Sequence, residues 1–469
     1  MYTQEENILN IKTYIGNKAF YRMALAIAIP LILQNGVTNL MNLLSNLMVG
    51  SLGTEQVSGV SIVNQLVFVY NLSLFGGISA ANIFGTQFYG KGDHEGQRNV
   101  FRVKLLLALA LLALGTLVFA AFDDQLIPLY LHQSESAGDL ALTLQEGKAY
   151  LRILLVSLIP FTIAQVYRMT LWESAETLAS MKASFVATGV NIALSYVLVY
   201  GKLGLPAMGV RGAALALVFS RAVEAGIIVL WTHKRFEHHP FILDAYKTFR
   251  VPAKLVADIA RRGWPLLLNE TLWSMGLAVL WQCYSQRGLA VIAGVNIATV
   301  MMNLFNVVLI AFGNCISILV GNLLGANRIQ AAKDTDTKLV AFSFASCIAL
   351  GFIMMALSRV FPTLYNTTGE VRVLAQRFIF IQACFLPINA LCNAASLTLR
   401  TGGKTIATFF LDGGFYWLVL LPTAYLLVRF SSLDIVSIFF CVVSVDLLKC
   451  VAGLIMLKKG LWLNNLISD

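Results

Sequence analysis

Residues 105–122 read LLLALALLALGTLVFAAF, eighteen positions without a charge. A run of that length and apolarity is long enough for a membrane-spanning helix, and only a helix or a closed barrel satisfies its own backbone polar groups in hydrocarbon. Eleven further apolar segments of helical length surround it, at 24–49, 57–84, 149–172, 184–200, 213–231, 264–284, 291–324, 339–358, 378–399, 406–428 and 435–457. The 469-residue chain is 58% hydrophobic and only 12% charged, about half the charge with which soluble domains cover their surface. The expectation is an all-α polytopic membrane protein with twelve transmembrane helices.

The distribution of basic residues sets the expected orientation. With both termini and alternate loops assigned to one side, twenty-two Lys and Arg fall there and eight on the other. This positive-inside bias predicts a multi-pass protein of a bacterial-type cytoplasmic membrane with both termini in the cytoplasm. The first twenty residues are polar, with no signal-peptide pattern. The net charge of +10 does not gather into a basic stripe interleaved with aromatics on a soluble segment, which argues against nucleic-acid binding. All seven cysteines lie in apolar stretches of the second half and form no CxxC, so packing is expected of them rather than disulfides or a metal site.

One long polar connection, 232–262, carries seven Lys and Arg and divides the helices into an N-terminal lobe, 1–231, and a C-terminal lobe, 263–469. It also holds His233, His238 and His239; with no completing Cys or spaced His pair, a solvated linker is expected rather than a metal centre. The two lobes repeat one another. At a shift of 235 residues Pro30 meets Pro265, Gly59-Val60-Ser-Ile62 meets Gly294-Val295-Asn-Ile297, Asn71 meets Asn306 and Gly90 meets Gly325; Pro160 pairs with Pro387 at 227. Six helices per repeat is an even number, so the repeats are parallel, an arrangement found in transporters. The prolines remove backbone donors inside or at the start of spanning helices and permit bending.

Polar residues inside spans mark where a cavity would lie. Asn35, Asn39, Asn42 and Asn46 share one helical face, and Asn64, Asn71 and Asn82 repeat the habit in the second helix. In the eighth, Asn296, Asn303, Asn306 and Asn314 do the same. Two readings stay open for them, interhelical hydrogen bonding or a hydrated cavity. In GWPLLLNETLW, residues 263–273, Asn269 is followed by Glu270 a few residues inside an apolar span. An unpaired carboxylate there costs several kcal/mol, so Glu270 is either bonded to a neighbouring helix or faces an interior cavity and handles ions or cargo. Trp273, Trp281 and Tyr284 return close to its helical angle, and an anion beside aromatic rings suits an organic cation. Arg221/Glu224 and Asp446/Lys449 are i,i+3 pairs at equivalent repeat positions with signs exchanged, each able to neutralise itself along its own helix. Asp412 sits near a helix start, where the dipole favours a carboxylate.

Several motifs mislead. GTQFYGKG at 85–92 lacks the Ser or Thr that a P-loop needs after its Lys, and no strand precedes it. GGKT at 402–405 lacks the motif's first Gly. No HExxH, no GxSxG and no His within a span occurs, so no enzyme activity is expected. Asn366-Thr-Thr368 matches only the short glycosylation sequon.

The chain resembles the multidrug and toxic compound extrusion (MATE) family of the MOP superfamily over nearly its whole length. The resemblance rests on Pro30…Gln34…Met48-Val49-Gly50-Ser-Leu52-Gly53, on Val190-Asn191-Ile192 through Gly201-Lys-Leu-Gly204-Leu-Pro206-Ala-Met-Gly209-Val-Arg-Gly212-Ala-Ala214, and on Leu399-Arg400-Thr-Gly402 followed by Lys404. It implies a two-lobed antiporter that expels cationic amphipathic compounds in exchange for sodium ions or protons, with no other cofactor and with Glu270 as the coupling carboxylate. Two further acidic positions of the family are absent: they fall at Ser45 and Asn389. The expected site therefore comprises Glu270 with Asn35, Asn39, Asn42, Asn269, Trp273, Trp281, Tyr284, Asn303, Asn306 and Asn389 as cavity residues, a sodium ion at Glu270 being the one metal considered. A monomer in the lipid bilayer is expected to suffice. The rival is a flippase for a lipid-linked saccharide precursor, whose anionic cargo would call for several basic cavity residues; Arg168 and Arg221 are those available.

Overall fold

The computed structural model of the protein describes residues 13–131 and 140–468. Among these residues every regular element is helical. The long helices are α1 (Lys18–Gly50), α2 (Thr54–Lys91), α3 (His94–Ala121), α5 (Leu140–Glu173), α6 (Thr177–Tyr200), α7 (Gly209–Lys234), α8 (Ala253–Ser285), α9 (Leu289–Gly325), α10 (Ile329–Leu357), α11 (Gly369–Thr401), α12 (Thr405–Phe430) and α13 (Ile435–Lys458); the short α4 (Asp123–Leu131) follows α3. Eleven of them are long and apolar enough to cross a membrane. The twelfth, α8, is 33 residues long but less apolar, because it carries Asn269, Glu270 and Gln282 within its span.

Local chemistry fixes the helix ends. Asp93 caps α3, its side chain accepting from the Gly96 amide at 2.7 Å, and Thr368 caps α11. Gly201 closes α6 in the left-handed region at φ 66°, where a side chain would be strained and would press on the backbone of Ala207. Pro30, Pro160, Pro265 and Pro387 all lie inside helices, as the duplication requires.

The chain forms two compact units. The N-unit comprises Pro30–Gly85 and Asp93–Gly263, and the C-unit comprises α1 through Ile29, Thr86–Gly92 and the chain from Trp264 onward. In the N-unit α7 packs against α5 and α6, and α3 against α5. In the C-unit α9 and α11 form the centre, with α10 against both and a core that includes Val295, Met301, Phe378, Leu386 and Ile438.

These units differ from the expected 1–231, 232–262 and 263–469. The chain changes unit within helices, at Pro30 in α1 and beside Pro265 in α8, at corresponding repeat positions. The segment 232–262 is not a solvated linker. Arg102 of α3 donates to the carbonyls of Ala245 at 2.9 Å and Asp244 at 2.7 Å. Phe241 is fully buried with its ring 5.5 Å from that of Phe101, and the hydroxyls of Tyr246 and Tyr167 are hydrogen bonded. The charged residues of this segment hide a short apolar register (Phe241, Ile242, Ala245) that docks on α3, and its last ten residues begin α8.

The glycine-rich end of α2 serves packing rather than phosphate. A Cβ on Gly90 would overlap the backbone carbonyl of Asn322, and one on Gly325 that of Gln87. Because 87 and 322, like 90 and 325, are equivalent repeat positions, the ends of α2 and α9 cross at one symmetric contact that only glycine permits.

Candidate ion and cargo sites

In the C-unit, Pro265 and the polar face of α8 present Glu270 to α11, where Arg400 Nη1 lies 3.4 Å from its carboxylate. Both side chains are largely shielded, 18% and 11% exposed. Asn269, next in sequence, is buried and accepts from the Gly413 amide at 2.8 Å, fixing α8 to α12. That approach is close: a Cβ on Gly413 would stand 2.9 Å from Asn269 Oδ1. Here α12 opens into wider π-helical turns at Phe410–Gly414 and Tyr416–Leu420, a distortion often found at functional sites. Trp417 Nε1 donates to the Leu272 carbonyl at 2.8 Å, closing the same seam.

The aromatic stripe divides. Trp273 is 40% exposed. Trp281 packs against the hydrophobic core and Tyr284 lies within it, 2% exposed, its ring 5.8 Å from Phe439. Tyr284 therefore does not face a cavity, because the helical phase drifts over fourteen residues and brings this turn against α13. Asn303 is exposed, while Asn306 and Asn389 are half-buried. The side-chain amides of these three make no hydrogen bond to another described residue.

In the N-unit, α1, α2, α5 (through Tyr150), α6 and α7 line a cavity of about 290 Å³. Asn42 and Asn46 of α1 and Asn64 and Asn71 of α2 line it, and among the described residues these four amides have no protein hydrogen-bond partner. Asn71 Oδ1 is buried without one. Interhelical bonding therefore does not account for these four, whereas Asn82, the third of the α2 set, accepts from Lys104 of α3 at 3.1 Å. Asn35 is half-buried and Asn39 exposed, outside the cavity lining. Ser45, at the position of an expected family acid, donates to Asn191 Oδ1 at 3.2 Å. The sole charged residue of the lining is Arg221. It donates to Ser157 Oγ at 3.1 Å and lies over the Phe161 ring at 4.5 Å.

The i,i+3 pairs do not close along their own helices, contrary to expectation. Glu224 pairs with Arg168 of α5 and accepts from Ser184 of α6. Lys449 pairs with Asp412 of α12 at 2.8 Å, and Ser396 of α11 donates to Asp412. An i,i+3 pair on a spanning helix can still turn each member to a different neighbour, and cross-helix geometry wins here. The two sets are alike in kind. Each joins three helices of its own unit, Arg168, Ser184 and Glu224 in one and Ser396, Asp412 and Lys449 in the other, and Glu224 and Lys449 fall at the same shift of 225 as Arg221 and Asp446. A cation, a carboxylate and a serine form a bonded node in each unit, with the charges on different helices. With the fourth position, Arg221 or Asp446, the N-unit set is formally positive and the C-unit set formally negative.

Sequence reasoning missed these cross-helix partners and a third pair, fully buried, between Lys104 of α3 and Glu173 of α5. Gln97, Asn82 and Thr170 hydrogen bond to it, and Gly85 leaves room for the carboxylate. The available signal was Lys104 itself, a cation abutting the uncharged run at 105–122. Arg400 was visible as a motif residue, but nothing in the spacing connected it to Glu270, 130 positions away.

Comparison with known proteins accords with this architecture. The probable multidrug resistance protein NorM of Thermotoga maritima is 23% identical over 93% of this chain and 92% of its own. The multidrug resistance protein MdtK of Yersinia pestis is 24% identical over 87% of each. Among solved structures, MATE in complex with MaL6 superposes with TM-score 0.83 at 20% identity, covering 96% of this chain and 98% of that one. A MOP superfamily transporter from Pyrococcus furiosus, described as having a binding pocket of reverse polarity, gives TM-score 0.83 at 20% identity over 97% and 99%. These likenesses establish the twelve-helix MATE fold. The MatE family model matches twice, over residues 30–197 and 265–426, one copy in each repeat, and the chain belongs to the MatE family.

Proposed function

We propose that the protein is a secondary active multidrug exporter that expels cationic amphipathic compounds in exchange for sodium ions or protons by alternating access, with Glu270 as the coupling carboxylate. It would act without enzymatic chemistry, as a monomer in the cytoplasmic membrane with both termini in the cytoplasm. The likeness to the multidrug resistance proteins NorM and MdtK supports multidrug export. The observation that carries the coupling role is the Glu270–Arg400 contact, an ion pair set loosely enough at 3.4 Å for another cation to compete for it.

The chemistry is competition for one carboxylate. Arg400 holds Glu270 when the site is otherwise empty. A proton, a sodium ion or an organic cation each weakens that hold, and each lowers the affinity of the others reciprocally. Antiport follows when the competing species bind from opposite sides of the membrane. The flippase reading loses ground, because Arg168 is already neutralised by Glu224, leaving Arg221 as the single uncompensated cation of its cavity.

Efflux of a fluorescent organic cation from proteoliposomes, with sodium and proton gradients imposed separately, tests the proposal. The parent should respond to one gradient at least, and Glu270→Gln should reduce gradient-driven efflux by roughly tenfold or more, the equivalent of ~1.4 kcal/mol. Undiminished efflux by that variant would sink the coupling role.

A further inference from the structure

We infer that the N-unit cavity is an anion subsite, taking the carboxylate of a small organic acid or zwitterion at Arg221. The inference goes beyond the coupling role of Glu270 and does not rest on it. The lining contains no acidic residue, and its one charge is the Arg221 guanidinium. The nearest carboxylate on the same helix, Glu224, is engaged by Arg168 and Ser184. Arg221 itself is satisfied only in part, by the Ser157 hydroxyl and the Phe161 ring. Charge-assisted hydrogen bonds from guanidinium to carboxylate are the strong class, and bidentate geometry suits the two.

The amides supply the second observation. Asn42, Asn46, Asn64 and Asn71 line the same cavity with no protein partner among the described residues, so their NH₂ groups can donate to the remaining lone pairs of a bound anion. A half-buried cation with no acidic residue in the lining is unfavourable for an organic cation and favourable for an anion, and the amides can turn NH₂ groups to that anion. The volume of about 290 Å³ admits a single-ring acid but not a large amphiphile. Ser45, which lines the same cavity, carries a neutral hydroxyl bonded to Asn191, so no carboxylate there offsets the Arg221 charge.

Calorimetry on the purified full chain in a non-ionic detergent tests this, with benzoate and the size-matched benzylammonium as probes. Benzoate should bind the parent and benzylammonium should not compete with it. Arg221→Gln should weaken benzoate by about tenfold or more, Arg221→Lys should retain most of the binding, and Ser45→Asp should abolish it. Glu270→Gln should leave benzoate binding unchanged whatever it does to efflux, which separates failure here from failure of the coupling role. Ser45→Asp keeps the test decisive should Arg221→Gln not fold. Preference for benzylammonium, benzoate binding indifferent to both substitutions, no benzoate binding to the parent, or displacement of benzoate by phosphatidylglycerol would each overturn the soluble-anion assignment.

Discussion

At the level of single residues, the clearest energetic statement concerns Lys104 and Glu173. Both side chains are fully buried, and desolvation makes such a pair a weak contributor as a pair, yet costly to break. Lys104→Met leaves an uncompensated buried carboxylate and should destabilise by about 3–5 kcal/mol, seen as a lowered unfolding temperature in detergent. Lys104→Met with Glu173→Gln should recover much of that loss. If the double variant were as unstable as the single, the cost would lie in packing rather than charge.

His239 gives a residue-scale pH dependence outside the spanning helices. It is buried beneath the segment that docks on α3, and burial lowers its affinity for a proton, although Glu176, 3.5 Å away, partly opposes this while His238 and Arg235 reinforce it. Above the ordinary His value of about 6.5 the ring is neutral whether the segment is docked or free, and docking is at full strength. As pH falls below that value the free segment takes up the proton first, so docking weakens through the lowered folded value. Protease cleavage or amide exchange at 235–252 should therefore rise between pH 7.5 and 5.5 in the parent and stay flat in His239→Gln.

At the level of helices, existence and order were legible because an apolar run of spanning length admits few alternatives. The duplication was legible for the same reason: Pro30 with Pro265 and Gly90 with Gly325 keep one register. What the sequence could not show is which neighbour each polar residue meets. Arg221 and Glu224 are one turn apart, yet Glu224 turns to Arg168, 56 positions away. The docking of Phe241 on Phe101 was hidden because a charged stretch reads as solvated unless its few apolar residues find a partner. The α2–α9 crossing makes a prediction of this scale. Gly90→Ala and Gly325→Ala each push a methyl into a backbone carbonyl that cannot rotate away, so each should cost about 1–3 kcal/mol, and by symmetry they should cost similar amounts. A neutral effect of either on the unfolding temperature would show that the crossing can open without penalty.

For the molecule as a whole, the two repeats share an architecture and differ in where their buried charges pair. Each unit holds a bonded node of a cation, a carboxylate and a serine, positive in sum in the N-unit and negative in the C-unit, and Glu270 with Arg400 adds an ion pair of its own to the C-unit. A charge inside a span is either scaffolding, in which case only the pairing matters, or a working group, in which case its place matters too. Exchanging the partners separates these. In Glu270→Arg/Arg400→Glu the pair can form again between α8 and α11, with the carboxylate moved onto α11. If the pair is scaffold alone, the exchanged protein should regain both the unfolding temperature and the efflux that the single variants lose. If Glu270 couples, stability should return while gradient-driven efflux stays at least about tenfold down, because the carboxylate no longer stands beside Trp273 and the polar face of α8. Full recovery of efflux in the exchanged protein would remove Glu270 from the coupling mechanism and leave the fold as it is.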